Sequence, residues 1–164
     1  MQDKAIEQYR MAVKSNPQDA YSYYQLGLIL KERGDFDSAR NVYESLLKLF
    51  PDHPDANYDL GYVYREKGLY EEAMNQYERA LKIDPENVFA YYDRGFIYKE
   101  TGDYNKALDE YQKVLELEPD YPYALWDIGE VYEKMGMKDK AEEQFRKYYE
   151  MTDCSFRKIW NCLD

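Results

Sequence analysis

Apolar and aromatic side chains recur along this chain at helical spacing, and the whole pattern repeats every 34 residues. Between residues 56 and 85, one amphipathic stripe precedes Gly68 and a second follows it. Five sets of residues keep the same step: Pro17, Pro51, Pro85 and Pro119; Gly27, Gly61, Gly95 and Gly129; Gly34, Gly68, Gly102 and Gly136; Ala5, Ala39, Ala73, Ala107 and Ala141; and Tyr9, Tyr43, Tyr77, Tyr111 and Phe145. This self-similarity predicts an array of helix pairs, each burying its apolar face against its neighbours.

The glycine, aspartate and proline residues between the amphipathic stripes predict where the helices begin and end. Gly34 supplies the left-handed residue that a helix C-terminus favours, and Asp35 is placed to cap the next helix. Pro51 stops that second helix, and Pro54 suits the first turn of the helix that follows. Gly27 is expected to face Ala39, so that the paired helices approach closely.

The repeat phase divides the chain into six segments. They are an unpaired second helix of a partial repeat (1–19), four repeats (20–53, 54–87, 88–121 and 122–154) and a C-terminal capping helix (155–164). The capping helix would follow Ser155 and carry Phe156, Ile159, Trp160 and Leu163. Because the first segment lacks its partner helix, either the array starts with an unpaired cap or upstream helices have been removed. We favour the second interpretation.

The repeat resembles the tetratricopeptide repeat family. The resemblance is carried by Leu26-Gly27, by Leu60-Gly61, by Gly68 and Tyr70, and by the alanine and closing proline that follow. It implies an all-α fold, a right-handed superhelical solenoid of antiparallel helix pairs. The first helix of each pair would line a concave groove and the second helix would form the convex back.

Some positions depart from the repeat. Arg94 replaces the aliphatic residue of the other repeats, so its stem is expected to pack while its head reaches solvent or an acid. Lys138 replaces an aromatic residue and Asp153 replaces the closing proline, which suggests that the repeat pattern weakens toward the C-terminus.

Composition narrows the range of partners. The net charge of −11 argues against nucleic acid and against an anionic membrane surface, and it would steer a cationic partner toward the chain. No apolar run approaches the roughly 20 residues that span a bilayer. Cys154 and Cys162 would lie about 12 Å apart on one helix, too far for a disulfide. Free thiols and a cytoplasmic location are therefore expected.

The sequence contains no recognisable catalytic constellation. Its single histidine, His53, lies in a proline-flanked turn and is expected to be a turn residue or helix cap. Neither the cysteines nor this histidine have metal-ligand spacing, and each glycine has a packing or turning role. We expect a protein that is not an enzyme and that needs neither a cofactor nor a metal.

The family geometry assigns a set of first-helix side chains to the groove. They are Tyr21, Tyr24, Gln25 and Leu28; Tyr58, Asp59, Tyr62 and Arg65; Phe89, Tyr92, Asp93 and Phe96; and Tyr123, Trp126, Asp127 and Glu130. The aromatic members either pack between adjacent first helices or form a binding surface. The polar series Gln25, Asp59, Asp93, Asp127 and Asn161 is either solvated or accepts hydrogen bonds and basic groups from a bound peptide.

The first hypothesis is therefore a protein-interaction scaffold that binds an extended or helical segment with apolar anchors and net positive charge. An acidic C-terminal peptide is not expected, because the positions at which some relatives carry a carboxylate clamp hold Tyr24, Leu28, Asp59, Phe89 and Asp93 here. Two alternatives stay open: self-assembly through stacking or helix exchange, and a role as the substrate-presenting arm of a larger enzyme.

Overall fold

The computed structural model describes residues 2–152, and every regular element within that range is an α-helix. Nine helices are present there: α1 (Gln2–Ser15), α2 (Ala20–Glu32), α3 (Phe36–Leu49), α4 (Pro54–Glu66), α5 (Tyr70–Ile83), α6 (Val88–Thr101), α7 (Tyr104–Leu117), α8 (Pro122–Lys134) and α9 (Lys138–Thr152). We call α2, α4, α6 and α8 the first helices and the other five the second helices. The predicted capping helix, both cysteines and Asn161 lie outside the described residues.

The turn after α2 confirms the predicted helix end. Gly34 has a φ of +79°, and its N–H donates to the carbonyl of Lys31 over 2.9 Å. The N–H of Asp35 reaches back to the carbonyl of Leu30, also over 2.9 Å. This pair of bonds is the Schellman motif, which satisfies helix carbonyls that have no partner within the helix. The Asp35 side chain then accepts from the N–H of Ser38 and caps α3.

The ring of Tyr43, rather than the predicted partner Ala39, explains why a glycine is needed at position 27 in the middle of α2. A Cβ at Gly27 would lie 2.5 Å from Cε1 of Tyr43 on α3, so only glycine leaves room for this ring. Ala39 is fully buried, but none of its atoms is among those closest to Gly27. The prediction that Gly27 allows a close contact between α2 and α3 is therefore confirmed. The predicted partner, Ala39, is wrong, because the contacting residue is Tyr43.

The chain divides into two compact units, one ending at Ala90 and the other beginning at Tyr91, within α6. In the first unit α1 packs on α2, α2 on α3, α3 on α4, and α4 on α5. Its core is built around Leu26, Leu30, Tyr43 and Leu46, all almost completely buried. Each helix thus buries its apolar stripe against its neighbours in the sequence.

The second unit buries an ion pair within its helical packing. In this unit α7 packs on α8 and α8 on α9. Tyr111 and Val114 are fully buried. Arg94 Nη2 lies 2.8 Å from Glu110 Oε1, and both side chains are largely shielded from solvent. Burial raises the pKa of Glu110 although Arg94 opposes that shift. Arg94 therefore reaches an acid, one of the two outcomes predicted for it.

No helix among the described residues is long and apolar enough to cross a membrane.

Candidate interaction site on the first helices

Three aromatic side chains of the first helices are exposed to solvent. Tyr21 on α2 is 64% exposed, Phe89 on α6 is 54% exposed and Tyr123 on α8 is 61% exposed. They occupy equivalent repeat positions, and residue 55 at the same step is an aspartate. All three were predicted to line the groove, and their exposure leaves their rings free to contact a partner.

Each exposed ring rests against another aromatic side chain. The ring centroid of Tyr21 lies 6.4 Å from that of Tyr9, and that of Phe89 lies 6.1 Å from that of Tyr58. In the second unit the ring of Tyr123 lies 6.1 Å from that of Tyr121. Such contacts restrict the side chain before any partner arrives, which lowers the entropy lost on binding.

Two other predicted groove residues of the first unit, Tyr24 and Tyr58, are half-buried. Tyr24 lies between Tyr43, at 6.2 Å, and the imidazole of His53, at 5.1 Å, with the rings of Tyr24 and His53 stacked. Tyr58 contacts Tyr77 at 5.8 Å as well as Phe89. Tyr58 therefore supports the exposed Phe89, whereas Tyr24 packs between α3 and the turn that contains His53.

The equivalent positions in the second unit show the same behaviour. Tyr92 packs on Tyr111 at 5.6 Å and on Tyr121 at 5.4 Å. Trp126 contacts Phe145 at 4.9 Å and Tyr148 at 5.1 Å, both on α9. The tryptophan thus holds α8 against α9 through its ring contacts.

One of the two interpretations of the polar series, that its aspartates are exposed to solvent, is wrong. Asp59, Asp93 and Asp127 are all buried. Lys31 Nζ donates to Asp59 Oδ1 over 2.6 Å, and the hydroxyl of Tyr43 donates to Asp59 Oδ2 over 3.2 Å. The Asp59 carboxylate was assigned to a peptide ligand as one alternative, but the chain's own donors already occupy both of its oxygens.

A related network lies in the second unit. Asp127 accepts from Lys99 on one oxygen and from the hydroxyl of Tyr92 on the other. Lys99 also donates to Glu130 Oε2 over 2.7 Å. Burial alone would lower the pKa of Lys99, but its hydrogen bonds to Asp127 and Glu130 outweigh that effect and hold the pKa above its ordinary value. The predicted groove residue Glu130 therefore helps to hold a buried cation.

Among the remaining predicted groove residues, Tyr62 and Phe96 each lie beside one of these lysines. Lys31 Nζ lies 5.3 Å from the centroid of the Tyr62 ring, and the Arg65 guanidinium lies 4.7 Å from the same centroid. In the second unit Lys99 Nζ lies 5.7 Å from the centre of Phe96. Gln25 and Leu28 are half-buried on α2.

Sequence reasoning missed the structural roles of Lys31 and Lys99 and one contact of His53. Neither lysine was singled out as a candidate site residue, although each pairs with an aspartate 28 residues further along the chain. His53 was predicted to be a turn residue or cap, and its Nδ1 does accept from the N–H of Ala56 over 3.3 Å. Its stacking on Tyr24 had no signal in the sequence.

No group of histidine, cysteine or acidic side chains suited to a metal ion occurs in the described part of the chain.

Sequence profiles of the tetratricopeptide repeat match most of the chain. They cover residues 24–88, residues 95–136, residues 122–153, and, in a further profile, residues 3–41 and 76–109. The segments 24–88, 95–136 and 122–153 each contain at least one glycine of a first helix together with the ring that packs on it, as Tyr43 packs on Gly27. The chain belongs to the tetratricopeptide repeat family, and its fold is the all-α array of that family.

Solved structures show the same fold. A crystal structure of MamA superposes with a TM-score of 0.89 at 26% identity, covering 95% of this chain and 91% of that one. MamA from Desulfovibrio magneticus RS-1, from residue 41 to its end, superposes with a TM-score of 0.86 at 26% identity. The match covers 92% of this chain and 85% of that one. YrrB, described as a TPR protein with an unusual peptide-binding site, superposes with a TM-score of 0.80 at 20% identity. The match covers 99% of this chain and 84% of that one. No curated protein sequence matches the chain.

Proposed function

We propose that this chain is a non-enzymatic protein-interaction module that binds a peptide or helical segment on the faces of its first helices. The observation that carries the proposal is the exposure of Tyr21, Phe89 and Tyr123, each backed by another ring. Aromatic side chains in such a setting offer a large contact area at low entropic cost, and they are enriched among the residues that dominate binding. The peptide-binding description of YrrB is consistent with this use of the fold.

Charge favours a partner with net positive charge. The chain carries −11 overall, so association with a basic segment is favoured at low salt. The buried aspartates do not supply this attraction directly, because Asp59 and Asp127 are already paired with Lys31 and Lys99. The attraction comes instead from exposed acids such as Asp55 and Glu100.

The proposal can be tested with displayed random peptides selected on the full chain. Selected peptides should be rich in basic and apolar residues, and Phe89→Ala or Tyr123→Ala should weaken their binding about tenfold or more. Ile83→Ala is the control, because Ile83 is an exposed apolar residue on the second helix α5. Binding that is unchanged in both aromatic variants would reject the first-helix site.

One observation favours self-assembly as a second candidate function. Met11 on α1 is 56% exposed, and it borders an open cavity of about 630 Å³ between α1 and the end of α2. A second copy could cover this surface, in which Ile6, Met11 and Leu30 lie among six charged side chains. Light scattering at increasing concentration tests the idea: Met11→Lys should reduce any association, and a chain that stays monomeric throughout would exclude it.

A further inference from the structure

The turn between α3 and α4 begins with an aromatic residue where the equivalent turns of the chain begin with a polar one. Phe50 occupies a position that holds Asn16, Asp84 or Glu118 at the same 34-residue step. Leu49, the last residue of α3, precedes it and Pro51 follows it. Both of these neighbours belong to the repeat, since apolar residues recur at the position of Leu49 and prolines at the position of Pro51. Phe50 is therefore the residue that calls for another explanation.

These residues line an open cavity of about 500 Å³ on the surface of the first unit. Five apolar residues line it: Ala20, Leu49, Phe50, Pro51 and Pro54. A cavity of this volume is in the range of small-ligand and side-chain sites. Leu49 is 38% exposed, so this wall presents apolar surface to solvent.

The cavity adjoins the proposed interaction face through His53. The imidazole of His53 lines the cavity and stacks on Tyr24 of α2. Its Nδ1 is fixed by the hydrogen bond from the N–H of Ala56. A segment lying across α2 and α4 could therefore place one side chain in the cavity without leaving the first-helix face.

The charges beside the cavity are negative. Asp52 is one of the lining residues, and Asp55 follows Pro54 in the first turn of α4. Both side chains are exposed, and within residues 2–152 neither forms an ion pair with a basic side chain. Asp19, next to Ala20, already accepts from Ser22. A bound segment would thus meet two carboxylates that lack a counter-charge.

We propose that this cavity receives an apolar side chain of the partner, and that the residues on either side of that anchor are lysine or arginine. The inference rests on the proposed function, because it names the chemistry of a segment bound on the first-helix face. The apolar walls favour an aliphatic or aromatic anchor. The two carboxylates favour basic flanks and disfavour acidic ones.

Three short peptides with blocked ends test the chemistry by NMR titration of the full chain. Their sequences are Lys-Arg-Leu-Arg-Lys, Lys-Arg-Ser-Arg-Lys and Glu-Glu-Leu-Glu-Glu. The first should shift the resonances of Leu49 and Ala20, and it should bind about tenfold more tightly than the second, since only leucine can be buried. The acidic peptide should cause no shift at these residues. Equal affinity of the leucine and serine peptides, or binding of the acidic peptide, overturns the proposal.

The repeat supplies a matched control variant. Leu49 and Ile83 occupy equivalent positions at the ends of α3 and α5, and they are 38% and 37% exposed. Leu49→Ser should weaken the basic leucine peptide about tenfold, whereas Ile83→Ser should leave its affinity unchanged. Asp52→Asn together with Asp55→Asn should weaken it and should also reduce its dependence on salt. Equal effects of the two serine variants would contradict a site at Leu49.

The location of the shifts separates this inference from the proposed function. Shifts at Tyr21 or Phe89 without shifts at Leu49 would support first-helix binding and reject the cavity as its anchor site. Shifts confined to Leu49, Ala20 and His53 would support the cavity and count against the exposed aromatic residues as the binding surface.

Discussion

Lys31 of α2 and Asp59 of α4 form an ion pair with 2.6 Å between Nζ and Oδ1, which ties together the first helices of two successive repeats. The other Asp59 oxygen accepts from the hydroxyl of Tyr43 on α3. A single buried carboxylate thus links three helices. The sequence left Asp59 either solvated or in contact with a bound peptide, and the structure gives this carboxylate a structural role instead.

Removing the lysine should destabilise the first unit. Lys31→Met leaves the buried Asp59 without its basic partner, and we expect a loss of about 1–3 kcal/mol in the free energy of unfolding. Asp59→Asn should cost less, because the amide oxygen can still accept from Tyr43. Denaturant unfolding of both single variants and of the double variant would measure the coupling. Unchanged stability in Lys31→Met would show that the pair contributes nothing to folding.

The contact between Gly27 and Tyr43 predicts a large effect from one methyl group. Gly27→Ala would bring its Cβ to 2.5 Å from the Tyr43 ring, and the resulting overpacking should lower the free energy of unfolding by about 1–3 kcal/mol. The three atoms nearest to this Cβ all belong to the Tyr43 ring, so Tyr43→Leu should relieve part of the loss. The double variant should therefore be more stable than the sum of the two single effects implies. Strict additivity would contradict this explanation.

The pair of Lys31 and Asp59 shows where sequence reasoning stops. The 34-residue step predicted the helices, the left-handed Gly34 and the Asp35 cap, and the proline-flanked turn predicted the cap at His53, because these features depend on residues close together in the chain. The pairing of Lys31 with Asp59 could not be predicted in that way. It depends on how two first helices lie side by side, and the repetition of each residue every 34 positions does not give that geometry.

Repeat position predicted only part of the candidate site. It placed both Tyr21 and Trp126 among the groove residues, yet Tyr21 is exposed and Trp126 packs against α9. The difference arises from the residues that surround each ring in three dimensions. The cavity beside Leu49 was missed because its signal in the sequence is a single residue, Phe50, at a position that is polar in the other repeats.

Buried tyrosines should make the fold sensitive to alkaline pH. Burial is the main cause that raises the pKa of Tyr43 and Tyr111 far above the ordinary value, and it raises the pKa of Tyr64 to about 12 with help from the hydrogen bond to Glu44. Tyrosine in the unfolded chain titrates near 10, so the folded state retains more protons above that pH. The stability contributed by these groups is complete below pH of about 10 and is lost as pH rises through the folded values.

The measurement is phenolate absorbance recorded together with circular dichroism. We expect the absorbance to rise in two stages, with the second stage accompanied by loss of helical signal. Complete ionisation near pH 10, as in an unfolded chain, with the helices intact would contradict the burial of these hydroxyl groups.

Substitutions of two aromatic residues on α8, Trp126 and Tyr123, should distinguish an effect on stability from an effect on peptide binding. Trp126→Ala removes the contacts with Phe145 and Tyr148, so it should lower the free energy of unfolding by about 3 kcal/mol. Tyr123→Ala should change stability by only about 0.5 kcal/mol, because its side chain is largely exposed. Peptides selected on the wild-type chain should nevertheless bind this second variant more weakly. If Tyr123→Ala instead destabilised the fold as much as Trp126→Ala, its exposed ring would be a structural residue, and the assignment of the first-helix face as the binding surface would lose its support in the second unit.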